Sequence, residues 1–344
     1  MYSAVISRSF LFGLVGLCLI FVACLERTES ITVDPNGNTT IRAEFNGRKK
    51  AFDPPVALPL EPEWTILTRN LDSADVDDIR MELVAEKTVP YGELIPDSYG
   101  SSTDDSLGGN FRFPTEVKMW SKDGRTYYEF RRTYIARKYA ATNITGGILW
   151  DQELENRVLE VGIFSVSEQD RQDYLNQYTD ALGYLHWRLL WETMGRLVQD
   201  NQVTLATKAE VEQAALRYVE SIVTPVRVLG ILGKPENSIA PALDNLETEV
   251  HDSFYRIFSD MVGGDKTTVL RQFKSKFAAV ILDYNITESL AGQTISVTLD
   301  LPGTVIATNG WVDPEKQGGV DWNFKGEDIF DADVSLYALS VVEH

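Results

Sequence analysis

Cysteine is nearly missing from this sequence: of 344 residues only Cys18 and Cys24 carry a thiol, and none follows Cys24. That excludes a disulfide-stapled scaffold and a cysteine-rich zinc module. Histidine is almost as scarce, with His186, His251 and His344 alone. None stands in an H-E-x-x-H pattern or beside a cysteine, so a histidine zinc site would need ligands from distant parts of the chain. His186 and His251, next to Trp187 and Val250, read as packed or surface side chains. Basic charge is short as well, 32 Lys and Arg against 51 Asp and Glu, for a net charge of −19. Phosphate backbones are held by Lys and Arg, so a general nucleic-acid binder is excluded. G-x-S-x-G, P-loop and G-x-G-x-x-G patterns are absent. A Ser-His-Asp triad needs no sequence proximity and leaves no such trace. No residue is assigned a catalytic role, and no cofactor or metal is expected.

What is present begins at the N-terminus. Residues 1–25 hold one charge, Arg8, and Ser9 to Leu25 form an uncharged, mostly apolar run. A membrane helix needs about 20 apolar residues, so this run fits a signal-peptide core better than a span. It closes on Phe21-Val22-Ala23-Cys24 and turns polar at Glu26. A small residue before a cysteine at the end of such a run resembles a bacterial lipobox, in which the cysteine thiol takes a diacylglycerol and the chain is cut before it. Leu is usual where Phe21 stands, and a small residue is commoner where Val22 stands. The reading is residues 1–23 as signal peptide and Cys24 as the lipidated, palmitate-bearing residue; a plain secretory signal or an uncleaved anchor are the alternatives. Loss of Arg8 with the leader takes the charge from −19 to −20.

The hydrophobic period divides the rest into β, α and β. Ile31–Asp34 and Thr39–Phe45 flank the turn signal Pro35-Asn36-Gly37-Asn38, and Glu116–Trp120 and Thr126–Tyr134 flank an Asp123-Gly124 turn. Pro54, Pro55, Pro59 and Pro62 mark an extended connection, residues 72–78 and 97–109 read as loops, and Val158–Val166 reads as a further strand. Ser167-Glu168-Gln169-Asp170 has capping-box form and opens a helix to about Asp200. Its apolar positions fall on two stripes, one through Tyr184, Trp187, Trp191 and Met194, one through Tyr178, Leu182 and Leu189. Further helices are predicted from Thr207 to Thr224, from Pro241 to Met261 and from Thr267 to about Val280. Alternation returns at Thr294, with Pro302-Gly303 and Asn309-Gly310 as turns and Val334–Val342 as a last strand. The predicted class is α+β: an antiparallel β domain built from both chain ends (24–166 and 284–344) around an inserted helical bundle (167–283). Three consecutive modules are the alternative.

The C-terminal pattern Pro302-Gly303-x-Val305, Asn309-Gly310, Val320-x-Trp322-x-Phe324 and Leu336-x-Ala338-x-Ser340 resembles the β domain of LppM-type bacterial envelope lipoproteins. The Asn36-Gly37 hairpin after the lipobox is similar to how such chains begin. The likeness covers about a third of the chain, and the long helical block departs from it. It implies an envelope lipoprotein and supplies no catalytic residues.

Two basic islands interrupt the acidic background. One is Arg125, Arg131, Arg132, Arg137 and Lys138; the other is Lys266, Arg271, Lys274 and Lys276. Arg131, Arg132, Arg137, Lys138, Arg271 and Lys274 are the candidate anion-binding residues, for head groups or an acidic envelope polymer, unless they pair with the chain's own acids. Two acidic loops, Asp72-Asp75-Asp77-Asp78 and Glu327-Asp328-Asp331-Asp333, have oxygen donors for calcium but lack the EF-hand spacing. The leading functional reading is a non-catalytic envelope lipoprotein, held at the membrane by a lipid on Cys24, with an envelope protein or lipid as partner. A lipid or apolar-ligand carrier using the helical block, with Trp187 and Trp191 in its groove, is the second. A carbohydrate-active enzyme with paired carboxylates and Trp120 or Trp311 as sugar platforms is the third.

Overall fold

Period-2 alternation makes the two chain ends into sheets, and capped 3.6-period stretches make the middle helical. A computed structural model describes residues 25–48, 52, 58–59, 61–71, 80–99, 111–137, 151–262, 266–290 and 293–344. The fold class is α+β. Contacts divide the chain into a β unit, running up to 139 and from 283 onward, and a helical unit over 140–282. Residues 1–23, Cys24, Lys138 and the acidic loop around Asp75 lie outside the described residues.

The β unit holds β1 (Glu26–Val33), β2 (Thr39–Arg48), β3 (Thr65–Leu71), β4 (Arg80–Val89), β5 (Thr115–Lys122) and β6 (Arg125–Tyr134) from the first chain end. From the second come β7 (Thr294–Asp300), β8 (Thr304–Thr308), β9 (Trp311–Val312), β10 (Gly319–Lys325) and β11 (Val334–Glu343). A seven-stranded sheet runs β3-β4-β2-β1-β7-β10-β9, and a four-stranded sheet runs β5-β6-β11-β8. Both hairpin signals hold: Asp34 Oδ1 accepts from the amides of Asn36 and Asn38 at 2.8 and 2.9 Å, and Asp123 and Gly124 carry φ of 51° and 72°. Among the described residues every pairing is antiparallel but one. β1 and β7 run parallel in register Glu26↔Thr294 to Thr32↔Asp300, so the first strand joins the chain's return from the helices. Parallel neighbours require a long crossover, which the helical unit supplies along the chain.

The inner faces of both sheets contribute to one core, with Ile31, Phe45, Val297 and Val320 from the larger sheet and Phe130 and Leu336 from the smaller. The chain passes between the sheets at Asn309-Gly310. Asn309 Oδ1 accepts from Trp322 Nε1 and from the Tyr337 amide, each at 2.9 Å. A Cβ on Gly310 would lie 2.6 Å from the Trp322 indole and from Val320. Gly310→Ala therefore overpacks the crossing and should cost about 1–3 kcal/mol, read as a lower urea midpoint at unchanged slope.

The helical unit comprises α1 (Gln152–Val161), α2 (Glu168–Gln199), α3 (Leu205–Ile222), α4 (Pro225–Leu232), α5 (Glu236–Met261) and α6 (Lys266–Leu290), the last continuing into the β unit from Asp283. Side chains of Asp151, Ser167, Thr204 and Thr224 cap the first four through the third amide beyond each. The strand predicted over Val158–Val166 is absent: Val158 is a buried helical residue of α1, four after Leu154, and the chain turns at Gly162 (φ 86°). The Asp151 cap decides this against the β-branched composition. α4 is a helix that sequence reading passed over, because Pro225 marks its first turn as well as the end of α3. α3 opens at Leu205 rather than Thr207, α5 begins at Glu236 and keeps Pro241 inside, and α6 extends ten residues past Val280 to Leu290. Where α5 meets α6, stacked rings fill the space, with Phe258 and Phe273 centroids 4.3 Å apart and Phe273 and Phe277 5.8 Å apart.

Candidate functional site

Strand phase places charge inside the β unit. In β1 the inward positions are Arg27, Glu29, Ile31 and Val33; in β6 they are Tyr128, Phe130, Arg132 and Tyr134. Arg27, Glu29 and Arg132 are each no more than 1% exposed. Arg27 Nε donates to Glu29 Oε1 at 3.0 Å, Tyr99 donates its hydroxyl to the same oxygen at 2.5 Å, and Arg132 Nη2 lies 2.5 Å from Glu29 Oε2. One carboxylate thus bridges two guanidinium groups and ties the two sheets together.

Aromatic rings close around this triad. The Arg27 guanidinium lies 4.5 Å from the Tyr99 centroid and 4.4 Å from that of Phe111, and Arg132 lies 4.2 Å from Phe113 and 5.2 Å from Tyr134. Tyr99, Phe111 and Phe113 come from the connection between β4 and β5, fully buried. Burial alone would raise the Glu29 pKa, but Arg132 and Arg27 outweigh it and hold the carboxyl below its ordinary range. Burial pushes the Tyr99 and Tyr134 phenols up, so both stay protonated. The cage carries two positive charges and one negative.

The predicted anion-binding residues disperse. Arg131 and Arg132 are neighbours in β6 and face opposite sides. Arg132 enters the cage, while Arg131 is 59% exposed, pairs with Glu129 at 2.6 Å and lies over the Tyr337 ring. Arg137 is buried against the first residues of α6 in the β unit, pairing with the Asp283 carboxylate and donating to the Asp283 carbonyl and to Thr287 Oγ1, both at 3.1 Å. Arg125 pairs with Glu343 at 2.9 Å. On α6, Arg271 and Lys274 share an exposed face, with the Lys274 ammonium 4.9 Å from the Tyr255 ring, and Lys276 pairs with Asp200 at 2.7 Å.

Arg137→Ala should loosen the segment after β6, because it removes an ion pair with Asp283 and the guanidinium hydrogen bonds to the Asp283 carbonyl and Thr287 Oγ1. A loss of about 1–3 kcal/mol is expected, with faster amide exchange near Ile135.

Other candidates also find places. Among the described residues no group of three His, Cys, Asp or Glu side chains converges as a metal site. In the second acidic loop, Asp328 accepts from the Lys325 amide at 2.8 Å and Asp333 from the Ala136 amide at 2.7 Å, so both shape backbone. Trp120 stacks on Tyr127 at 5.4 Å on the β5–β6 hairpin, and Trp311, 60% exposed, sits on edge strand β9 of the other sheet. Trp187 and Trp191 are half-buried; Trp191 is flanked by Arg188 at 4.4 Å and Lys208 at 4.9 Å. An open polar groove of about 520 Å³ is lined by Tyr218, Asn245, Thr248, Glu249, Asp252 and Arg256. Its Glu249 is bound by Arg227, which holds that carboxyl below its usual range.

His186 and His251 meet inside the helical unit, their ring centroids 5.3 Å apart and edge to face. His251 also meets Phe277 at 4.9 Å, and among the described residues neither His186 nitrogen has a hydrogen-bond partner. Burial pushes the pKa of His186 down to about 3, with His251 adding to the effect, and that of His251 down to about 4 against the opposing Asp252. Both rings are neutral at pH 7 and packed as apolar groups.

No protein-family model matches the chain, and no curated protein matches it in sequence. Among solved structures, it is similar to the folded domain of LppM from Mycobacterium tuberculosis, determined by NMR. That likeness spans 93% of this chain and 91% of the other at 10% identity, with a TM-score of 0.28.

Proposed function

We propose that this chain is a lipid-anchored protein of the bacterial cell envelope, whose ectodomain serves binding or assembly at the membrane surface. The observation that carries the reading is the burial of Leu25, the residue that follows Cys24 in the chain. Leu25 is 3% exposed within the β core, and Glu26 opens β1 inside the larger sheet. A lipid on Cys24 would therefore join the folded β unit with no linker and hold it against the head groups. Two acyl chains on one residue suffice for stable anchoring, where a single chain gives marginal binding. Among the described residues no helix is long and apolar enough to cross a membrane. The function proposed is thus presentation of an α+β ectodomain whose β unit is held at short distance from the lipid surface.

Metabolic labelling with palmitate tests the anchor. The full chain should take up label in its native host, and Cys24→Ser should take up none, with Cys18 left in place as the control thiol. Label that persists in Cys24→Ser, or an unlabelled wild-type chain, would overturn the reading.

A further inference from the structure

The charges of the aromatic cage do not balance. Among the described residues Arg27 and Arg132 stand against Glu29 alone, and the nearby phenols of Tyr99 and Tyr134 stay protonated. The ring contacts at 4.2–5.2 Å lie over the guanidinium carbons, so the acceptors that remain possible are in the guanidinium planes. In those planes Arg27 Nη2, Arg132 Nε and Arg132 Nη1 are buried and have no hydrogen-bond partner among the described residues. A buried donor left unmade is costly, and an unbalanced buried charge costs more. A water molecule would satisfy an N–H group and leave the excess charge untouched. A small monoanion satisfies both.

We propose that the cage is a binding site for one small monoanion of the halide or formate class, held in the plane of the Arg132 guanidinium and completed by Arg27. The anion makes the triad a neutral set of two cations and two anions. The site is selective by size and charge: rings close it on the guanidinium faces, and a dianion would leave the cage with an uncompensated negative charge. Because the anion contacts arginines of β1 and β6, it braces the two sheets from inside. The site is independent of the lipid anchor, and its test does not depend on Cys24.

The test uses the full chain in detergent. Melting of the β unit, followed by near-ultraviolet circular dichroism of the cage aromatics, is compared in sodium chloride and in sodium gluconate at equal ionic strength. A ligand that binds only the native state raises the midpoint, here by about 5 °C near saturation. Arg132→Met should abolish the difference. Should that variant fail to fold, bromide-soaked crystals of the wild-type chain decide. An anomalous peak within hydrogen-bond range of Arg132 Nε or Nη1 supports the site, and a cage without one, whether or not bromide binds at the surface, overturns it.

Discussion

Glu29→Ala should destabilise the β unit by about 3–5 kcal/mol, because it leaves two guanidinium groups buried without their shared carboxylate. Glu29→Gln should fall close behind, since it keeps an acceptor for Arg27 Nε and Tyr99 but removes the charge that Arg132 meets at 2.5 Å. Replacing the three residues together by apolar side chains of similar volume should be far less harmful than Glu29→Ala alone, and on general grounds neutral or stabilising. Urea unfolding followed in the near ultraviolet measures all three. Equal losses in the single and triple variants would show that packing, rather than charge balance, governs the cage.

Acid should melt the helical unit through its two histidines. Their folded pKa values, about 3 for His186 and about 4 for His251, lie below the ordinary value of 6.5. The unfolded chain therefore binds more protons, and stability rises with pH across this window. The contribution is complete above about pH 6.5 and is lost as pH falls toward about 4 for His251 and about 3 for His186. Each histidine removes about 1.4 kcal/mol per pH unit in that range, so two units of acidification cost about 5 kcal/mol from the pair. His251 Nε2 lies 3.8 Å from Glu247, too far to be held charged by a close ion pair. His186→Leu should reduce the slope of urea midpoint against pH by its own share while leaving the fold intact at pH 7. Ellipticity at 222 nm, read at pH 7, 5.5 and 4.5, checks this. A variant with the wild-type slope would place the acid sensitivity elsewhere.

The cage was legible in part. Extending the alternation of Ile31 and Val33 backward puts Glu29 and Arg27 inside the sheet, and the phase of Tyr128, Phe130 and Tyr134 puts Arg132 there. Reading Arg132 by sequence clustering with Arg125, Arg131, Arg137 and Lys138 instead merged inward and outward positions into one basic island. The aromatic half was not legible, because Tyr99, Phe111 and Phe113 reach the cage from a loop with no period of its own. The parallel β1–β7 pair has no local sign either, since it joins segments separated by the whole helical unit. His186 follows Leu182 and precedes Leu190 at four-residue steps, which places it on the buried face of α2. Its meeting with His251 of α5 depends on packing between helices that sequence spacing does not set.

The sequence features around Cys24 and the burial of Leu25 just before β1 together make the account's central claim, an ectodomain joined directly to a lipid. The intact mass of the mature protein, recovered from its native membranes, tests it most directly. The account predicts a chain beginning at Cys24 with a diacylglyceryl group added. A mature chain without that mass, or one beginning elsewhere, would contradict it.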